Sequence, residues 1–221
     1  MSIDVDALKE QAGRRAASHV EDGMRVGLGT GSTVHWTIVA LGERGLDITC
    51  TATSDRTAEL ATSVGLALVA PDEIGRLDIA IDGADEVDPA FNLTKGGGGA
   101  LTREKIVARM ADRFIVVVDE HKLVRRLGPF GTPVELLEFA PRVTMDWIRA
   151  IGATDVVLRT PPGSDNGNLL ADAHFGEIEA PDEVGARLDA VPGVVEHGLF
   201  PAAMVERIVV AGTDGIRELV R

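Results

Sequence analysis

Five consecutive apolar residues, Phe114-Ile115-Val116-Val117-Val118, constrain the fold more than any other stretch. A strand with one wet face alternates apolar and polar residues. An unbroken run instead predicts a strand buried on both faces, as in a parallel sheet covered by helices. The chain before it agrees. Val5, Leu8, Ala12, Ala16 and Val20 recur at helical spacing, so Asp4 to Val20 is expected as an amphipathic helix. Short strands are expected at Met24 to Leu28, Thr49 to Thr53, Leu66 to Val69 and Leu77 to Ile81. Helices separate them, one running to about Arg44 and one capped by Ser54 and closed at Gly65, and another is expected over Leu101 to Met110. Such alternation predicts an α/β, Rossmann-like domain with a mostly parallel sheet.

The pattern changes near Gly128-Pro129-Phe130-Gly131. Strands at Val134 to Leu137, Asp155 to Leu158, Asn168 to Asp172 and Gly193 to Leu199 alternate with helices at Arg142 to Ile151 and Asp182 to Ala190. The order βαββαβ predicts a smaller, ferredoxin-like α+β domain. Ile208 to Ala211 and Asp214 to Val220 read as a strand and then a helix returning to the first domain. The expected bounds are 1–128 with 201–221 for the Rossmann-like domain and 129–200 for the small one.

A chain of 221 residues with 45% apolar content buries a sizeable core. Its net charge of −13 argues against nucleic acid or an anionic membrane as the main partner. An anionic ligand must then be met locally, by backbone N–H groups or a few lysines. With no signal-peptide pattern and no membrane-spanning apolar run, a cytoplasmic protein is expected. Cys50 has no second cysteine to pair with and reads as a small core residue.

Asp78 to Lys105, DIAIDGADEVDPAFNLTKGGGGALTREK, concentrates the chemistry. A strand runs into the acidic turn Asp82-Gly83-Ala84-Asp85-Glu86, and the C-terminal ends of strands are where open α/β sheets place ligands. Lys95 directly precedes Gly96-Gly97-Gly98-Gly99, a run that weakens any element unless close backbone approach requires it. Glu104 opens the next helix, where it serves either as a partner of the helix dipole or as a general base. Upstream, Gly27-Leu28-Gly29-Thr30-Gly31-Ser32-Thr33 joins a strand to a helix and offers N–H groups and hydroxyls to a phosphate. It is neither a dinucleotide fingerprint nor a Walker A loop, so a phosphorylated small molecule fits better than a nucleotide.

Elsewhere the plain readings prevail. His19, His35, His121, His174 and His197 show no metal-ligand spacing, so no metal is expected. Trp36 and Trp147 fall within helices and are expected in the core. Asp165-Asn166-Gly167-Asn168 is a turn first and a site only as a weaker second reading.

Together the Gly27–Thr33, Asp82–Glu86, Lys95–Lys105 and Asp165–Asn168 blocks resemble type A ribose-5-phosphate isomerases, and Pro192–Val195 with Gly198–Phe200 also fits. The resemblance implies that Thr30, Gly31, Ser32 and Thr33 hold a sugar phosphate. It implies that Asp82, Gly83, Ala84, Asp85, Lys95, Gly96, Gly97 and Gly98 contact the substrate, that Asp82, Asp85 and Lys95 assist catalysis, and that Glu104 is the catalytic base. Lys122 matches a further substrate-binding lysine, although His121 stands where the family commonly has serine. Interconversion of ribose 5-phosphate and ribulose 5-phosphate in the pentose phosphate pathway is implied, with no cofactor, by a homodimer. The competing readings are a sugar-phosphate sensor domain, which has no use for a base at Glu104, and another isomerase or an acyl-CoA transferase-like enzyme on a similar scaffold.

Overall fold

The computed structural model describes residues 5–160 and 163–221, and Asp4, the expected start of the first helix, lies outside them. In chain order the first elements are α1 (Val5–Ala17), β1 (Arg25–Leu28), α2 (Ser32–Arg44), β2 (Thr49–Ala52), α3 (Asp55–Ser63), β3 (Ala67–Leu68), α4 (Pro71–Ile74) and β4 (Leu77–Asp82). Then follow β5 (Glu86–Val87), β6 (Leu93–Thr94), α5 (Leu101–Met110), β7 (Ala111–Asp119), β8 (Thr132–Leu136) and α6 (Pro141–Ala150). The last are β9 (Asp155–Leu158), β10 (Leu169–His174), α7 (Pro181–Asp189), β11 (Val194–His197), β12 (Leu199–Phe200), β13 (Arg207–Gly212) and β14 (Gly215–Val220).

The chain divides into two compact units, one holding the chain up to Gly83 with Arg103–Lys122 and Ala203–Arg221, the other holding Ala84–Thr102 and Leu123–Ala202. These bounds differ from those expected from the sequence, chiefly because Ala84–Thr102 groups with the smaller unit.

The first unit is built on a seven-stranded sheet in the order β14-β13-β7-β4-β1-β2-β3, parallel except for β14. Phe114 to Val118 is buried throughout, as the apolar run requires. Val34, Ile38 and Leu41 of α2 pack with Ala12 and Ala16 of α1 in one core with Val26, Leu28, Ile79 and Ile81. Each large aliphatic side chain wholly buried there contributes about 1.5–3 kcal/mol. Cys50 is buried in that core, and burial pushes its thiol up to about 12, which leaves it unreactive. The strand order reverses between β1 and β4, so the switch point lies at the ends of those two strands.

The second unit contains a four-stranded antiparallel sheet in the order β11-β8-β10-β9, the ferredoxin-like arrangement expected of βαββαβ. A three-stranded sheet, β12-β6-β5, carries the approach to the glycine run.

Two expectations fail. Asp214 to Val220 is not a helix: β14 turns back antiparallel on β13, with Gly212 opposite Gly215. Ile216, Leu219 and Val220 happen to fall at helical spacing, and pairing with β13 overrides that local pattern. Trp147 is not a core residue, being 46% exposed, because α6 buries the stripe through Thr144 and Ile148 and Trp147 lies beside it. Trp36 is half-buried.

Candidate active site

In the first unit the end of β1 runs into Gly29–Thr33, and α2 begins at Ser32. Gly31, in the N-cap position, lends no side-chain cap, so the first N–H groups of α2 keep the capacity for an anion that a helix N-terminus offers. Thr33 is buried, while Gly31 and Ser32 are exposed. Thr30 is used differently. Its Oγ1 lies 2.9 Å from Thr53 Oγ1, 2.8 Å from Ser54 Oγ and 3.1 Å from Thr57 Oγ1. Thr57 Oγ1 in turn donates to the Gly29 carbonyl, and Ser54 caps α3 by accepting from Thr57 N–H. Thr30 therefore fixes the loop through a cluster of neutral hydroxyls. An open cavity of about 400 Å³ lies beside the loop, lined by Thr30, Gly31, His35, Arg56 and Thr57 among others.

Asp82, the last residue of β4, is 3% exposed. Its Oδ1 accepts from Thr30 N–H at 3.0 Å and from Gly83 N–H at 2.7 Å. This carboxylate also explains Gly29: a Cβ there would lie 2.0 Å from Asp82 Cγ. The upstream loop and the acidic turn thus meet through residues 29, 30 and 82, across the switch point of the sheet.

Glu104, in the first turn of α5, is buried at 4% exposure, as is Lys105. Lys122 is half-buried and closes a 3₁₀ turn, Glu120–Lys122, after β7. His121 is exposed there, and its backbone N–H donates to Asp119 Oδ1 at 3.0 Å. The turn therefore depends on Asp119 and not on the side chain at 121.

In the second unit Ala84 and Asp85 are half-buried. Asp85 donates its N–H to the Thr94 carbonyl, and its Oδ2 accepts from Gly97 N–H at 2.7 Å. A Cβ on Gly97 would lie 2.6 Å from Asp85 Oδ1, so any side chain there would have to displace the carboxylate. Lys95 is 2% exposed, donates its N–H to the Gly198 carbonyl at 2.8 Å, and places Nζ 5.5 Å from the centre of the Phe200 ring. That contact suits a cation held in an apolar setting. Gly97 and Gly98 are exposed, whereas Gly96 and Gly99 are buried. Glu86 plays a different part. It accepts from Thr94 Oγ1, Gly128 N–H and Phe130 N–H and so ties β5 to the chain before β8.

Three groups escaped the sequence reading. Glu135 of β8 is fully buried and accepts from Thr102 Oγ1, Ser164 Oγ at 2.7 Å, Asn168 Nδ2 at 2.8 Å and Asn166 Nδ2 at 3.1 Å. Burial pushes its carboxyl up, but the four donors outweigh burial and hold it below the usual carboxylate range. The Asp165–Asn168 turn is thereby a structural clasp on Glu135. The two asparagines at its corners were the available signal.

Arg159 forms a two-pronged pair with Asp172, Nε to Oδ2 at 2.9 Å and Nη2 to Oδ1 at 2.7 Å. Its remaining nitrogen, Nη1, donates to the carbonyls of Gly96 at 2.8 Å and Gly97 at 3.3 Å. Nothing in the local sequence marks it.

His197, Asp189 and Glu196 also gather, a grouping that the spacing of the histidines did not foretell. His197 Nδ1 accepts from Leu199 N–H at 3.2 Å, so the neutral ring carries its proton on Nε2, which faces Asp189 Oδ1 at 3.2 Å. A ring in that tautomer donates to Asp189 and presents no lone pair there for a cation.

Among the described residues, no helix is long and apolar enough to cross a membrane. Comparison with known proteins supplies the family. Residues 49–215 match the family model for ribose 5-phosphate isomerase A (phosphoriboisomerase A). A ribose-5-phosphate isomerase A from Thermomicrobium roseum is 48% identical, covering 99% of this chain and 96% of its own. The crystal structure of ribose 5-phosphate isomerase A from Neisseria gonorrhoeae superposes with a TM-score of 0.94 at 34% identity, over 97% of this chain and 96% of that one. A D-ribose-5-phosphate isomerase solved in complex with phospho-erythronic acid gives a TM-score of 0.95 at 38% identity, over 99% and 100% of the two chains. Matching sequence, fold and length along nearly the whole chain, this protein belongs to the ribose-5-phosphate isomerase A family.

Proposed function

We propose that this isomerase interconverts D-ribose 5-phosphate and D-ribulose 5-phosphate by moving a proton between C2 and C1 through an enediolate, with Glu104 as the base. Buried Glu104 in the first turn of α5 is the observation that carries the reading. One carboxylate removes the proton from C2 and returns it to C1, and the enediolate holds the electron pair in between. The reaction is redox-neutral, so it calls for no electron carrier.

The remaining roles follow the chemistry of each group. Gly31, Ser32 and Thr33, at the start of α2, bind the phosphate by N–H groups and hydroxyls, which is how a chain of net charge −13 accepts an anion. Thr30 keeps that loop in shape. Asp82 and Asp85 bind hydroxyls and assist ring opening and the proton transfer between O1 and O2, with Gly83 and Ala84 as the backbone between them. Lys95 and the N–H groups of Gly96 and Gly98 stabilise the oxyanion, with Gly97 held between them by its bond to Asp85, donors of this kind being worth about 10²- to 10³-fold each in rate. Lys122 is a further substrate contact. Phospho-erythronic acid, found on one relative, carries a carboxylate at the end of a phosphorylated chain and so resembles the enediolate in charge and shape.

The reading places the enzyme in the cytoplasm, in the non-oxidative pentose phosphate pathway, as a homodimer. Light scattering at micromolar concentration should give twice the chain mass, and a monomer mass would remove the dimer from the reading.

The decisive experiment follows exchange of the C2 proton of ribose 5-phosphate in deuterated water. The wild type should catalyse it. Glu104→Gln should keep its fold and lower kcat by at least about 10²-fold, the scale of general acid–base catalysis. Near-normal turnover in that variant would end the assignment of the base.

A further inference from the structure

We propose that Arg159 is a positioning residue for the isomerisation: gripped by Asp172, it holds the carbonyl edges of Gly96 and Gly97 and so aims the N–H edge of the glycine loop at the reacting oxygens. The inference rests on the proposed role of that loop in stabilising the enediolate.

The fork to Asp172 uses Nε and Nη2 and fixes the guanidinium plane, leaving Nη1 to bond elsewhere. Nη1 reaches the Gly96 carbonyl at 2.8 Å and the Gly97 carbonyl at 3.3 Å. In a trans peptide the C=O and N–H point in opposite directions. The Gly96–Gly97 peptide is accordingly held at both edges, by a cation at its oxygen and by the Asp85 carboxylate on its N–H at 2.7 Å. The Gly97–Gly98 peptide turns its oxygen toward the same cation, so Gly98 N–H points the other way, on a residue that is exposed.

A guanidinium on a peptide oxygen also draws electron density from the amide and makes its N–H a stronger donor. Glycine backbone is the least restrained of any residue, and Gly96 sits at φ 102, where other side chains are strained. The loop has one tie of its own, Gly99 N–H donating to the Gly96 carbonyl at 2.9 Å, and an external hold adds to it. Arg159 and Asp172 supply it from the strand pair β9–β10, with side chains only 19% and 26% exposed.

The plainer alternative is that Arg159 and Asp172 are a partly exposed ion pair worth about 1 kcal/mol or less in stability. Kinetics separate the two. A displacement of a catalytic donor by about 1 Å costs on the order of 10²-fold. Arg159→Met should therefore lower kcat by about 10- to 10²-fold while KM for ribose 5-phosphate changes far less. Arg159→Lys, which keeps the charge but loses the fork, should fall between. Guanidinium ion at millimolar concentration should restore part of the Arg159→Met activity, since it refills the same cavity.

A kcat near the wild-type value in Arg159→Met, or a rise in KM alone, overturns the proposal. Should Arg159→Met fail to fold, Arg159→Lys and Asp172→Asn carry the same kcat test, and unchanged kcat in both overturns it. Wild-type exchange at C2 and the Glu104→Gln loss are measured alongside. If those hold and Arg159→Met is normal, only this inference falls; if the wild type exchanges no proton, the reading beneath it falls as well.

Discussion

The Gly29–Thr33 loop of the first unit and the Lys95–Gly99 loop of the second are both glycine-rich turns next to a strand, but different chemistry holds each. Thr30 buries its hydroxyl among Thr53, Ser54 and Thr57, all neutral groups just after β2 and at the start of α3. Neutral hydroxyls that satisfy one another carry no charge into the interior and avoid the heavier desolvation cost. The glycine loop is instead clamped by ionised groups, Asp85 on one N–H and Arg159 on two carbonyls, with Glu135 fixing Thr102 just beyond it. The first arrangement leaves the N–H groups at the start of α2 for a ligand. The second commits side-chain charge to the loop itself, so its geometry depends on distant partners.

The largest test of that contrast falls on Glu135. Glu135→Ala leaves four donors without their acceptor, with Ser164 buried and Thr102 and Asn168 half-buried, and opens a cavity, so it should destabilise the fold by about 2–4 kcal/mol in urea unfolding. A loss below about 1 kcal/mol would mean that water or a shifted turn replaces the carboxylate, and that the second unit does not depend on this charge. The pH dependence has a definite sign. The folded protein holds Glu135 below the usual carboxylate value of 4.5, so the unfolded chain takes up the proton first as pH falls. This contribution is complete above that value and is lost as pH drops toward the depressed folded value. The gap in stability between wild type and Glu135→Gln should therefore narrow as pH falls through that window.

The same contrast explains what was legible in the sequence. The Gly29–Thr33 loop could be placed because its parts lie in one short stretch between a strand and a helix, and hydrophobic periodicity placed both. The acidic turn and Glu104 were visible for the same reason, as was the ferredoxin-like order of the small unit. Arg159 and Glu135 were invisible: they act on residues 63 and 33 positions away, and only the pairing of β9 with β10 and of β8 with β10 brings them to bear. The Asn166 and Asn168 amides read as turn formers, which they are, without revealing the buried carboxylate that they serve. At the C-terminal end, Ile216, Leu219 and Val220 gave a helical period that β13 overruled by offering a full antiparallel ladder. Local pattern was informative wherever an element's partners were local as well.

The smaller effect belongs to the first unit, and Gly29→Ala probes it. A Cβ at position 29 would stand 2.0 Å from Asp82 Cγ and 2.1 Å from its Oδ1, with no flexible chain end to yield, because Asp82 is buried and bonded to two backbone N–H groups. Accommodating the methyl must move either the loop or the carboxylate, at about 1–3 kcal/mol, the range for overpacking. Denaturant unfolding measures that cost, and calorimetry with inorganic phosphate measures whether the start of α2 still binds. If the hydroxyl cluster of Thr30, Thr53, Ser54 and Thr57 is what shapes the Gly29–Thr33 loop, and the proposed phosphate site is there, stability should fall while phosphate affinity changes by less than about tenfold, since Gly31–Thr33 keep their N–H groups. Loss of phosphate binding with little loss of stability would show the reverse: Asp82, and not the hydroxyls, sets the loop, and the two loops would then share a dependence on charge.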